Sequence, residues 1–460
     1  MIFSKPVFAA FVSVVLSSCG GGGGGGAGVA QTASGYPSAP QSCELSTQRA
    51  WLRDYLTDQY FWFDRQGTPN EAASSMGAYF TSLLYPGFDR YSFSQSTAQH
   101  LQFFQEGKRT GYGYSLAWAD ATQTVLKVRL VEALSPVGLA GLRRGETIVS
   151  IDGFSPLQIA AGANAAVATP GVVRNLVVTD TANVQRSFSV VSAEFDLSPV
   201  SHTTVLTAGN GAKVGYLAYQ EFISTGNAPL GAAINSFRAA GVTEVILDLR
   251  YNGGGRANQA RDLSSMLGGT GLAGQTFAQY RFNAKLSGNN VVQAFATNAS
   301  ALPAAPLSGL TRLFVITSGG TASASEMVIN GLRPYMPVIT IGATTFGKPY
   351  GSQPRDACGT TYSPISIEIA NAVGFASFSN GFTPTCAMSD DLSRELGDPA
   401  ELRTAAALSY ITTGICPPVA AVPSAFVANA PRVQAAASSL APARGESAFG
   451  EVQLPRAVVD

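Results

Sequence analysis

Residues 230–255 read LGAAINSFRAAGVTEVILDLRYNGGG, and this stretch decides the fold. Leu230, Ala233, Ile234 and Phe237 recur at i, i+3, i+4 and i+7, the spacing that lines one face of a helix. A strand, Val214 to Ala218, precedes that helix and another, Val245 to Leu249, follows it. Strand, helix and strand in this order form a βαβ unit with parallel strands. The pattern returns downstream: Leu313 to Thr317 is a strand, a helix runs from Ser323 to Leu332, and Val338 to Ile341 is the next strand. Residues 198–416 are therefore expected to form an α/β layered core.

Outward from that core the periodicity changes. Residues 106–197 carry short strands between glycine turns, Gly111-Tyr112-Gly113-Tyr114 opening one and Val125 to Val131 forming another. Residues 42–105 carry helical spacing, in Leu45, Leu52, Tyr55, Leu56, Tyr60 and Phe61 and again from Ala78 to Leu84, whose apolar side chains are read as core. Residues 417–460, rich in Ala, Pro and Val without periodicity, read as a tail. At the other end, Lys5 and the apolar run Val7 to Leu16 read as a signal peptide, too short for the roughly 20 residues that span a bilayer.

Composition removes several function classes. Charged residues are 13% of the chain and hydrophobic ones 46%, so the chain is globular and neither disordered nor a coiled coil. Lys plus Arg (29) balances Asp plus Glu (29) with no basic stripe, so no nucleic-acid partner is expected. The two histidines, His100 and His202, stand in no ligand-like pattern, so both are read as structural and neither a metal nor a cofactor is expected. The six lysines, Lys5, Lys108, Lys127, Lys213, Lys285 and Lys348, leave few candidates for a catalytic amine.

Three segments stand at the C-terminal ends of core strands, where α/β proteins place their sites. Asp248-Leu249-Arg250-Tyr251-Asn252-Gly253-Gly254-Gly255 exposes main-chain N–H groups that suit an anion or oxyanion, or it simply turns. No Lys-Ser/Thr pair follows, which argues against a nucleotide P-loop. Thr317-Ser318-Gly319-Gly320-Thr321-Ala322-Ser323-Ala324-Ser325-Glu326 puts a serine at a strand-to-helix junction beside free helix amides, although an ordinary helix cap uses the same residues. Gly342 to Tyr350 puts Lys348 in a Gly/Pro turn. Most lysines are solvated, but a desolvated one loses its proton readily and can serve as a general base without histidine.

Taken together, DLRYNGGG, TASASE and TFGKP, in that order, resemble the DLRxNxGG, SASASE and TFGKG segments of the carboxyl-terminal processing, or tail-specific, serine peptidases. The 25 positions from Ser323 to Lys348 match that family's spacing of nucleophile and lysine. Residues 135–153, with SPVGLAGL and RGETIVSIDG, resemble a PDZ domain of the bacterial peptidase type; Asp89-Arg90-Tyr91-Ser92 and Leu396-Gly397-Asp398-Pro399 also resemble family segments. The resemblance implies a ClpP/crotonase-like layered α/β core (198–416), an inserted β-rich PDZ domain (106–197) and an N-terminal helical segment (42–105). It further implies Ser323 as nucleophile, Lys348 as general base, the amides of Gly254 and Ala324 as oxyanion donors, and a glutamine as third member. The family's glutamine stands four residues after the lysine, where this chain has Ser352, with Gln353 one further on; either a bulge shifts Gln353 into place or Ser352 substitutes. Pro349 replaces the usual glycine.

In the PDZ reading, Gly111, Tyr112, Gly113 and Tyr114 belong to the loop that captures a polypeptide's free, apolar C-terminus. Leu16-Ser17-Ser18-Cys19 resembles a bacterial lipobox, which implies lipidation at Cys19, a glycine-rich tether over 20–41 and a lipid-anchored place in the cell envelope, in the outer membrane, facing the periplasm or the cell surface. That compartment permits disulfides. The four remaining cysteines allow three pairings, of which Cys358–Cys386 as a local clasp and Cys43–Cys416 as a closure of the two ends are the expectation. The alternative reading is a catalytically inactive lipoprotein on the same fold that binds peptides or a hydrophobic ligand.

Overall fold

The structure is a computed structural model that describes residues 39–163 and 169–418. The leader, Cys19, the glycine run and most of the 417–460 tail lie outside those residues. The N-terminal elements are helix α1 (Leu45–Gln59), helix α2 (Met76–Leu83), strand β1 (Phe93–Ser96) and helix α3 (Thr97–Phe104). The β-rich stretch follows, with β2 (Lys108–Gly111), β3 (Tyr114–Trp118), β4 (Leu126–Val131), α4 (Pro136–Leu139), β5 (Thr147–Ile151), α5 (Pro156–Ala160), β6 (Val173–Thr179), β7 (Gln185–Val191) and β8 (Ala193–Asp196). The core contains β9 (Val200–Thr207), β10 (Lys213–Tyr219), α6 (Asn227–Ala240), β11 (Glu244–Asp248), α7 (Ala257–Gly268), β12 (Thr276–Phe282), β13 (Val291–Ala294), β14 (Leu313–Thr317) and α8 (Ala324–Leu332). It closes with β15 (Val338–Gly342), β16 (Tyr350–Ser352), β17 (Arg355–Ala357), β18 (Thr360–Ser363), β19 (Ile365–Ala370), β20 (Cys386–Ala387) and α9 (Leu402–Thr413).

The six-stranded core sheet has the order β20-β15-β14-β11-β10-β9. Its strands are parallel except β9, which pairs antiparallel with β10. Strands β10, β11, β14 and β15 are apolar nearly throughout because both faces are covered, whereas the edge strand β9 is polar and largely exposed. Alternate residues separate them: Leu217, Tyr219, Val245, Leu247, Leu313 and Val315 pack with α6, α7 and α8. Val214, Tyr216, Ala218, Ile246, Phe314 and Ile316 pack on the other face with α9. A second sheet, β13-β12-β19-β16, adds Phe277, Tyr280, Ile367 and Ile369 to the first of these layers. The helix read from Leu230, Ala233, Ile234 and Phe237 is α6, and all four residues are buried.

Residues 112–191 form their own five-stranded sheet, β3-β4-β5-β6-β7, over a separate apolar cluster. The two-stranded ribbon of β2 and β8 carries the chain into and out of this unit. Charged groups crowd that junction. Glu132 accepts the Ser198 N–H at 3.2 Å, and Arg109 lies 3.9 Å from the buried Glu221. Burial pushes the Glu221 carboxyl from 4.5 up to about 8, against the pull of Arg109 and with a further push from Glu132. The folded protein therefore holds a proton on Glu221 that the unfolded chain releases, so this group's contribution to stability is present below 4.5 and is lost as pH rises through about 8. Glu221→Gln should raise the melting temperature by a few degrees near pH 9, with no gain in acid, as read by thermal unfolding; equal shifts at both extremes would remove Glu221 from the pH response.

The disulfides correct the expected pairing. Cys43 is bonded to Cys358 and Cys386 to Cys416. The reason lies in topology: β17 and β18 form a hairpin whose turn, at Cys358, returns to the start of α1, and β20 lies beside β15 where the chain leaving α9 arrives. Among the described residues no helix is long and apolar enough to cross a membrane, and no group of His, Cys, Asp and Glu could hold a metal ion.

Candidate active site

Ser323 is the residue that ends the turn between β14 and α8, and it is 1% exposed. Its backbone sits at φ 57°, ψ −114°, where a residue with a Cβ costs about 1–3 kcal/mol. Such strain persists only where neighbours impose it, and here the neighbours are the DLRYN segment. The Thr321 hydroxyl donates to Leu249 O (2.7 Å), the Ala322 N–H to Asn252 O (3.1 Å) and the Ser325 hydroxyl to Asn252 O (2.9 Å). The Ser318 hydroxyl also donates to Arg250 O. The serine turn and the loop after β11 are thus one hydrogen-bonded body.

Gly254 lies in that loop at φ 109°, and a Cβ there would come within 2.8 Å of Ala322 O, Ala324 N and Ser323 Cβ. Only glycine admits so close an approach to the serine. The amides of Ala324 and Gly254, read from sequence as an oxyanion pair, therefore belong to adjoining segments. In this conformation the Gly254 N–H donates to Asn252 Oδ1 at 2.8 Å, and Asn252 Nδ2 donates to Tyr219 O at 2.9 Å. Asn252 is fully buried, and its side chain takes up the Gly254 N–H.

Glu326, one turn into α8, is also fully buried. Its carboxylate accepts the Ser323 N–H (2.9 Å), the Lys348 N–H (2.8 Å), the Gly347 N–H (2.7 Å) and the Thr345 hydroxyl (2.6 Å). Burial pushes its pKa up, and these hydrogen bonds oppose that rise. One side chain thus holds the backbone of both Ser323 and Lys348. Sequence reasoning named Glu326 only as part of the TASASE segment; the available signal was an acidic residue three places after a helix-capping serine.

Lys348 is 4% exposed, in the loop between β15 and β16. The two residues read as alternatives for the third position, Ser352 and Gln353, lie at and just after the end of β16. Gly351 pairs with Ile367 and Ser352 with Ile365, so the bulge skips Ser366 on β19 and leaves the strand after Lys348 regular. Ser352, four residues after Lys348, is 1% exposed. Gln353 is half-buried, its N–H bonded to Ser366 Oγ (3.2 Å) and its carbonyl accepting from the Tyr55 hydroxyl (3.4 Å).

Behind the loop after β11, Arg250 is fully buried and saturated by carboxylates. It bonds Asp248 at 2.9 and 3.0 Å, Glu401 at 2.8 and 2.9 Å and Asp390 at 3.0 Å. Asp390 is half-buried, and against the desolvation that raises its pKa, Arg403, Arg250 and Arg144 hold its carboxyl well below the usual range. Arg144 comes from the β-rich unit: it reaches Asp390 at 3.0 Å and the Tyr251 hydroxyl at 2.6 Å. Tyr251 adjoins Asn252, so that unit touches the glycine loop directly.

Within the β-rich unit, Tyr112 and Tyr114 are buried in its core, and Arg174 lies over the Tyr112 ring at 4.1 Å. The carbonyls of Tyr112 and Gly113 accept from Val137 N–H (3.1 Å) and Glu132 N–H (2.9 Å). Gly111 ends β2, opposite Ala193. The rings of Tyr112 and Tyr114 are therefore taken up by the unit's own core. β3, which begins at Tyr114, forms one edge of the five-stranded sheet. His100 and His202 fill structural positions: His100 bonds Gln95 at 2.9 Å, and His202 packs edge-on to Tyr216.

The sequence profile of peptidase family S41 matches residues 213–373, a span that includes Gly254, Ser323, Glu326 and Lys348 but not the β-rich unit. A carboxyl-terminal-processing protease of Picosynechococcus is 24% identical over 317 residues, covering 65% of this chain and 70% of that protein. The chloroplastic carboxyl-terminal-processing peptidase 3 of Arabidopsis thaliana is 27% identical over 290 residues, 60% of this chain and 50% of that protein. Among solved structures, one assigned to the S41 proteases, from Bacteroides fragilis NCTC 9343, superimposes with a TM-score of 0.63 at 25% identity, over 79% of this chain and 97% of that one.

Proposed function

From a chain whose residues 213–373 are a peptidase family S41 domain, and which is thereby a serine-type peptidase, we propose an endopeptidase of the carboxyl-terminal processing type that works with a Ser323–Lys348 pair. The observation that carries this reading is the Glu326 carboxylate, which accepts the main-chain N–H of both residues, at 2.9 and 2.8 Å. Ser323 Oγ attacks the scissile carbonyl as its proton passes to Lys348 Nζ. The tetrahedral oxyanion is held by the Ala324 amide and by the Gly254 amide once Asn252 releases it. Lys348 then protonates the leaving amine, and an ester on Ser323 remains. Water, deprotonated by the same amine, hydrolyses that ester. Ser352, buried four residues after Lys348, is the better candidate than Gln353 for orienting the amine.

The substrate is an unstructured polypeptide segment near a free apolar C-terminus. The β-rich unit acts as a PDZ domain, adding the substrate as a strand beside the edge strand β3 while amides of residues 111–114 take its carboxylate. Lipidation at Cys19 anchors the enzyme in a bacterial envelope. The nucleophile is 1% exposed, so a polypeptide reaches it only when the loops around it open.

The test combines a fluorophosphonate probe with cleavage of an unstructured peptide ending in apolar residues. Wild type should take the label at Ser323 and cut the peptide; Ser323→Ala should do neither. Peptide binding without label or cleavage, over a range of pH, would instead identify a binding protein that has lost its chemistry.

A further inference from the structure

The loop that carries Lys348 is gripped from two sides, and the second grip comes from outside the matched peptidase span. Asp89-Arg90-Tyr91-Ser92 lies between α2 and β1. Asp89 fixes this turn, accepting the N–H groups of Tyr91 and Ser92, both at 2.9 Å, and the Tyr60 hydroxyl at 2.6 Å. Ser92 Oγ accepts the Ile365 N–H at 2.8 Å, which ties the turn to β19.

Two side chains leave that turn for the lysine loop. The Tyr91 hydroxyl, in a buried contact, donates to Gly347 O at 2.9 Å. Arg90 Nη2 donates to Phe346 O and Ser379 O, each at 3.0 Å, with Gly347 O at 3.5 Å. The guanidinium also lies 4.4 Å over the Phe346 ring and 5.1 Å over that of Tyr91. The two carbonyls just before Lys348 are thus held by Arg90 and Tyr91, while the two N–H groups of Gly347 and Lys348 are held by Glu326. Both peptide planes leading into the lysine are fixed by side chains from different parts of the chain. Gly347, at φ 83°, packs so closely on Ser379 that an added Cβ would lie 2.3 Å from Ser379 O.

We propose that Arg90 and Tyr91 are positioning residues for the general base: they hold the main chain of residues 346–347 so that the Lys348 amine stays desolvated and aligned with Ser323. This rests on the reading of Lys348 as the base. Neither residue touches the substrate. The charged and titratable groups around the loop are Glu326 from α8, Asp89, Arg90 and Tyr91 from this turn, Tyr350 on β16 and Glu368 opposite it on β19. Releasing the loop lets water reach the amine, which raises its pKa toward that of a free lysine. The acid limb of kcat/KM, which reports the free enzyme's base, then moves to higher pH.

The experiment measures kcat/KM against pH for wild type, Tyr91→Phe, Arg90→Ala and Arg90→Lys on an unstructured peptide, with thermal unfolding followed alongside and Lys348→Ala as control. Tyr91→Phe is nearly isosteric and keeps the aromatic packing. Both Tyr91→Phe and Arg90→Ala should move the acid limb upward by on the order of one pH unit, with activity largely recovered above it and KM little changed. Arg90→Lys, which keeps a charged donor, should move it less than Arg90→Ala. A purely structural staple would lower the melting temperature and reduce activity equally at every pH; an unmoved acid limb in both variants overturns the proposal. An active Lys348→Ala overturns it differently, by removing the base on which it depends.

Discussion

Replacing Lys348 by alanine is expected to lower kcat/KM by about 10²- to 10⁴-fold, the range for losing a positioned general base, and replacing it by arginine should do no better. The comparison is informative because the two variants fail for different reasons. Alanine removes the proton acceptor. Arginine keeps a long cationic side chain, but its guanidinium cannot give up a proton in a protein, so it offers no base at any accessible pH. The site is also dry, with Lys348 4% exposed and Ser323 1% exposed, and burial favours the uncharged amine over the ammonium. Both histidines are occupied elsewhere, His100 on Gln95 and His202 against Tyr216, so neither substitutes. Peptide cleavage over a wide pH range is the measurement. Arginine activity within a few-fold of wild type would mean that position 348 supplies charge and not proton transfer.

The parts of this architecture set by local periodicity were legible in the sequence. Leu313–Thr317 is β14 with the expected ends, and the helix expected from Ser323 to Leu332 is α8 with Ser323 as its cap. Apolar runs buried on two faces and a helix with one buried stripe are local signals, and they survive into the fold. Contacts between distant segments were not legible. The sequence suggests pairing Cys358 with Cys386, 28 positions along the chain, but the β17–β18 turn carries it to Cys43, 315 positions away. The bulge that bears on Ser352 and Gln353 lies at Ser366, in a strand whose register position 352 does not reveal. Tyr112 and Tyr114 read naturally as part of a glycine-rich capture loop, yet their rings complete the core of the β-rich unit. Asn252 accepts the Gly254 amide two residues on, a local turn, but its other hydrogen bond, from Nδ2 to Tyr219 O, joins segments 33 positions apart. Arg90 and Tyr91 belonged to a segment already noted, and their hold on residues 346 and 347 spans about 256 positions that no spacing rule connects.

Glu326→Gln should be nearly as damaging as loss of the base, although Glu326 exchanges no proton in the reaction. The carboxylate oxygens take four donors: Ser323 N–H, Lys348 N–H, Gly347 N–H and the Thr345 hydroxyl. A glutamine presents one acceptor oxygen and one NH₂, so whichever way it turns, the NH₂ points donors at donors. Oε1 accepts from Thr345 and Gly347 and Oε2 from Ser323 and Lys348, so one orientation of the amide releases the Lys348 loop at Gly347 and the other releases nucleophile and base together. Each buried donor left unmatched costs about 1–3 kcal/mol. Ser323, already strained at φ 57°, then loses a restraint that holds it there. The expected result is a fall in kcat/KM of at least about 10²-fold, the scale on which a small misplacement of reacting groups tells, with a lower melting temperature and slower fluorophosphonate labelling of Ser323. Glu326→Asp, one methylene shorter, keeps the charge but cannot span from Ser323 to Gly347, so it should fail as well. Were Glu326→Gln to lose stability while keeping its labelling rate, the carboxylate would be a structural cap on α8 and the link between serine and lysine would have to lie elsewhere.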